Sequence, residues 1–127
     1  PRLPTALSSM WHDKSRLTQD IVDGYMAPLK PPVGNWARAL WEFTVARSYE
    51  KNAPTMAGLQ QVAAPCLVIA GAHDSVVPMA HSRMVAQSIP GAEIATIDES
   101  GHLPHEEQEA DTLEAIRVFL SQVGLSR

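Results

Sequence analysis

Residues 65–78 read Pro-Cys-Leu-Val-Ile-Ala-Gly-Ala-His-Asp-Ser-Val-Val-Pro, and this stretch decides the fold. Cys66 to Ala70 is an uninterrupted apolar run between Pro65 and Gly71. A short run of that kind, without alternation, marks a strand buried on both faces of a parallel sheet. Pro78 suits the first turn of a helix, and Ala80, Met84, Val85 and Ile89 give that helix an apolar stripe. Pro90-Gly91 is a turn, Ala92 to Ile97 reads as a second strand, and Gly101 to Pro104 is a loop. A final helix is expected from about Glu106 to Val123, with Leu113, Ile116, Leu120 and Val123 on one stripe. Its early Glu106, Glu107, Glu109 and Asp111 and its later Arg117 complement the helix dipole. The acidic run 106–114 reads as a solvated helix face. Strand, helix, strand, helix is a βαβα unit with parallel strands and a right-handed crossover.

Upstream the character changes. Residues 1–64 hold seven basic and five acidic side chains, whereas 65–127 hold three and nine. Trp11, Tyr25, Trp36, Trp41, Phe43 and Tyr49 all precede residue 50, and only Phe119 follows. Thr18 is a candidate N-cap for a helix carrying Ile21, Val22, Tyr25 and Met26, which Pro28 ends. Trp36, Leu40 and Phe43 mark one face of a second helix running to about Tyr49, and 56–62 reads as a short third one. No strand is expected before residue 65. The division is therefore a helical region, 1–64, and a βαβα region, 65–127.

Composition excludes several function classes. Hydrophobic residues are 45% and charged residues 19% of the chain, an ordinary globular balance. Ten Lys and Arg against fourteen Asp and Glu give a net charge of −4, and no basic stripe suits a nucleic-acid backbone. No apolar run approaches the roughly 18–20 residues that span a bilayer. The single cysteine, Cys66, excludes an internal disulfide, fits a reducing, cytoplasmic compartment and reads as inert packing in a strand.

Length carries a further expectation. A strand buried on both faces needs more neighbours than one partner strand, since two strands alone are marginal in water. The sheet therefore reads as the later part of a larger one, whose N-terminal part is needed to complete the fold.

In open parallel sheets, ligands meet the loops at the carboxyl ends of the strands. Two such loops exist, 71–78 and 98–105, and they carry Asp74 and His102. If the strands are adjacent, these two side chains can touch. A carboxylate beside an imidazole fixes its tautomer and stabilises its cation, the arrangement that serves nucleophilic hydrolysis.

At this point the sequence resembles the C-terminal part of the α/β-hydrolase fold family. The apolar strand, Gly71, Asp74, Val77 and Pro78 match its G-x-x-D and V-P pattern, and Gly101-His102 matches its last G-H. Pro104-His105-Glu106-Glu107 after the histidine also recurs in that family. Residues 10–60 resemble its helical cap more loosely. The resemblance implies that Asp74 is the triad acid and His102 the general base, with no metal or organic cofactor. It implies ester or similar acyl hydrolysis in the full-length protein, on a small apolar or acyl substrate, with Trp36, Trp41 and Phe43 lining the pocket. The family's nucleophile elbow, G-x-S-x-G, does not occur in residues 1–127. This polypeptide alone is therefore expected to be inactive. The competing expectation is a short, non-catalytic binding module.

Other candidates read more simply. Asp98 is a rival acid by proximity but reads as a loop hydrogen-bonder. His73 and His81 read as surface or packing residues. Ser75 and Ser100 lie near the site without an elbow, and the spacing of His102, His105 and Glu106 does not match a metal motif.

Overall fold

Leu67–Gly71 forms β1 and Glu93–Ile97 forms β2, joined by the helix α3 at Met79–Ser88. The computed structural model of the chain describes residues 3–29 and 57–124. Within them, α1 spans Leu3–Met10, α2 spans Gln19–Met26, α4 spans Pro104–Glu107 and α5 spans Glu109–Gln122. The region holding Trp36, Trp41 and Phe43, with its expected helix, lies outside the described residues.

The two strands pair in parallel, with Leu67 opposite Glu93 and Gly71 opposite Ile97. Pairing runs past both ends, because Glu93 N donates to Cys66 O at 3.0 Å and Ala72 N to Ile97 O at 2.9 Å. Cys66 thus stands one residue before β1, half-buried rather than packed within a strand, with its thiol donating to Ala64 O. Helices α3 and α5 both pack on the two strands. Ala70, Ala86, Ile89 and Ile97 are buried.

Among the described residues the first strand is only partly covered. Leu67, Val68 and Ile69 are half-buried, and only Ala70 and Gly71 at the strand's end are fully covered. Among the described residues the sheet has two strands, so one long edge of β1 meets no partner there.

The expected last helix is also interrupted. It breaks at Gln108, which adopts φ −135° and ψ 64° between α4 and α5. Pro104 starts α4 without needing its missing N–H, and the turn closes as Gln108 N donates to Pro104 O. Gln108 Nε2 then reaches Glu99 O at 3.0 Å, tying the break to the loop after β2.

Thr18 caps α2 as expected, its hydroxyl accepting from Ile21 N. Helix α1 was not expected. Leu7 on α1 and Trp11 just after it are buried, and Trp11 meets the exposed Tyr25 edge-on at 6.0 Å. No helix among the described residues is long and apolar enough to cross a membrane.

Candidate functional site

Because β1 and β2 are adjacent and parallel, their carboxyl-end loops leave the sheet side by side. They are stitched by backbone, His73 N donating to Ser100 O at 2.9 Å. Asp74 N closes a tight turn onto Gly71 O, which swings the Asp74 side chain back over the strand ends. Its Oδ1 accepts from Val76 N at 2.8 Å and Val77 N at 2.9 Å. That double capping fixes the carboxylate just ahead of α3. Its Oδ2 lies 2.9 Å from His102 Nδ1.

The environment suits an anion beside a tautomer-locked imidazole. The Asp74 side chain is 7% exposed and that of His102 30%. Burial pushes the Asp74 carboxyl up, but the bonds from His102, Val77 and Val76 and the charge on His102 outweigh it. The group is held below the usual aspartate value. With Nδ1 donating to the carboxylate, Nε2 is the ring nitrogen left to accept a proton.

No protein-family model matches this chain. It is 26% identical over 114 residues to YugF of Bacillus subtilis (strain 168), a protein described as an uncharacterized hydrolase. The match covers 90% of this chain and 40% of that protein. Among solved structures, the chain superposes on BpoC of Mycobacterium tuberculosis H37Rv, assigned as a non-heme bromoperoxidase, with a TM-score of 0.52. Identity there is 32%, over 54% of this chain and 25% of BpoC. A thermophilic esterase from Thermogutta terrifontis, solved with malate bound, gives a TM-score of 0.49 at 33% identity. That match covers 50% of this chain and 23% of the esterase. These relatives share one fold family.

The chain resembles part of the α/β-hydrolase fold family. It spans well under half the length of the relatives it matches. Its parallel βαβα unit matches part of the fold of an α/β-hydrolase neighbour.

A third segment closes on the two loops. The turn after α1 presses against Gly101, and His102 N donates to Met10 O at 2.7 Å. Glu107 lies beneath them, fully buried. Its Oε1 accepts from Gly101 N at 2.7 Å, and its Oε2 from His12 N at 2.7 Å and Asp13 N at 3.1 Å. The guanidinium of Arg16 donates to the Glu107 carbonyl oxygen. The reading of 106–114 as a wholly solvated acidic face is therefore corrected at Glu107. Pro104 and the break at Gln108 turn that one carboxylate inward, while Glu106 and Glu109 stay exposed.

The remaining candidates take simpler places. Asp98, His81 and His105 are exposed. The Ser75 hydroxyl donates to Ser9 O at 2.9 Å, and Ser100 is fully buried. His12, His73 and Glu99 each bring one ligand atom within 4.8 Å of the others, all exposed. The two imidazoles, however, stack at 3.9 Å with only 11° between their planes. An imidazole binds a metal in its own ring plane, so two facing rings do not aim at one ion.

Proposed function

We propose that this chain supplies the acid and the general base of a nucleophilic hydrolysis site acting on an ester or similar acyl bond. The observation that carries the reading is the 2.9 Å contact between Asp74 Oδ2 and His102 Nδ1 at adjacent strand ends. Asp74, held by two backbone amides, would orient the imidazole and stabilise it when protonated. His102 Nε2 would take the proton from an attacking serine hydroxyl and return it to the leaving group. It would then activate water to release the acyl group. The serine would come from a nucleophile elbow elsewhere in the full-length protein. Residues 1–64 would form a helical cap over the βαβα region 65–127, with Trp36, Trp41 and Phe43 lining an apolar pocket. The curated relative's description as a hydrolase supports hydrolysis as the reaction class.

The test is turnover of p-nitrophenyl butyrate by the full-length protein and its His102→Ala variant. Loss of the general base is expected to cost roughly 10²–10⁴-fold in kcat. Undiminished turnover in the folded variant overturns the reading.

A further inference from the structure

We propose that Glu107 is a positioning residue that holds the His102 loop in register with Asp74. This rests on the reading of Asp74 and His102 as an acid–base pair. The starting observation is chemical. A carboxylate is among the costliest groups to bury, yet Glu107 is 0% exposed. Its oxygens meet three backbone N–H groups, from Gly101, His12 and Asp13. An apolar side chain would fill the space with no desolvation cost, but it would leave those donors without acceptors.

What the three donors have in common is their location. Gly101 N belongs to the residue immediately before His102, so Glu107 pins one side of Gly101, at its peptide with Ser100. Met10 O pins the other side through His102 N at 2.7 Å. Met10 itself is held because the next two amides but one, His12 and Asp13, end on the same Glu107 oxygen. The carboxylate thus ties the loop after β2 to the turn after α1 at the residue bearing the imidazole. Gly101 is part of the same device. A Cβ there would sit 2.4 Å from Met10 O, 2.8 Å from His12 N and 3.0 Å from Glu107 Oε1. The carboxylate approaches Gly101 closely because nothing projects from it. Both Glu107 oxygens are needed as acceptors, so glutamine cannot substitute. Its amide nitrogen would face either Gly101 N–H or the His12 and Asp13 pair, donor against donor.

The test follows the His102 ring by ¹H–¹⁵N NMR and ester turnover in the full-length protein. Folded Glu107→Gln is expected to lose the Nδ1–H signal of the bond to Asp74. Its kcat should fall roughly tenfold to a hundredfold at nearly constant KM, as misplacement of a reacting group does. Glu107→Asp, which keeps two acceptor oxygens, should recover part of both. Parent-like His102 signals and kcat in folded Glu107→Gln overturn the proposal. If that variant does not fold, hydrogen exchange of the parent decides. The Gly101 amide should exchange far more slowly than exposed loop amides, and exchange at their rate also overturns the proposal. Asp74→Asn reports separately on the underlying pair. If it keeps both the Nδ1–H signal and turnover, the acid–base reading fails, whatever Glu107 does to the ring.

Discussion

Gly71 and Gly101 face each other so closely that a Cβ on Gly71 would sit 2.0 Å from the Gly101 carbonyl oxygen. It would also meet Ser100 O at 2.5 Å. This approach is what lets the loops after β1 and β2 run side by side and bring Asp74 to His102. Neither obstacle is a flexible side-chain tip; both are backbone.

Gly71→Ala is therefore expected to force the loops apart. Overpacking of this kind costs about 1–3 kcal/mol, and here the displaced group leads directly to His102. Urea denaturation should show the loss of stability, and the His102 ring signals should move. A variant with the parent's midpoint would mean that the loops do not approach as described.

Much of this arrangement is legible in the amino-acid order. The apolar run at 66–70 and the helical stripe at 80–89 announce a parallel βαβ unit, and parallel strands put Asp74 and His102 at the same end. Thr18 is readable as a cap because its oxygen has one obvious backbone target. Glu107 is not readable in the same way. It stands among Glu106, Glu109 and Asp111, and helical periodicity does not tell which carboxylate turns inward. The deciding event is the break at Gln108, set by contacts with Glu99 and with a segment some 95 positions earlier in the chain. Helix α1 did leave a signal, with Leu3, Ala6, Leu7 and Met10 at helical spacing. Pro4 and the Ser8-Ser9 pair obscure it. The half-burial of β1 depends on neighbours, which no pattern within the strand can specify.

The acid limb of stability should report on Asp74. Its carboxyl is lowered in the folded chain from an ordinary value of 3.8. A lowered folded value means that the unfolded chain binds the proton more readily. The stabilisation is then fully present above about pH 4 and is lost as pH falls through the folded value. Asp74→Asn removes that titration, so its stability should fall less steeply on acidification than the parent's. Asp13, bonded to the Ser15 hydroxyl and amide, shifts in the same direction, so a residual slope remains. Denaturation midpoints between pH 6 and pH 3 check this. Parallel curves for parent and variant would remove Asp74 as the source.

Trp11 offers a contrast between shape and polarity. It is 3% exposed, and its indole N–H has no acceptor among the described residues. Trp11→Ala should cost about 3–5 kcal/mol, since a large aromatic leaves a cavity that the surroundings fill only in part. Trp11→Phe should cost far less, because it also removes a buried donor without a partner. A Trp11→Phe variant as unstable as Trp11→Ala would indicate that the N–H does find an acceptor.

Two aspartates compete for the role of acid, and geometry separates them. Asp98 follows β2 directly and lies four positions before His102, yet its side chain is exposed. Asp74 is 28 positions away in sequence but has one oxygen on the imidazole and the other on two amides. Asp98→Asn should leave stability within about 0.5 kcal/mol of the parent, as exposed substitutions do, and should leave ester turnover unchanged. In the full-length protein, Asp74→Asn should lower kcat by as much as roughly 10⁴-fold, because an asparagine in this place favours the wrong imidazole tautomer. The inverse pattern, activity lost with Asp98 and kept without Asp74, would transfer the acid's role to the end of β2. It would also leave the Asp74–His102 contact as a purely structural bond between the two loops.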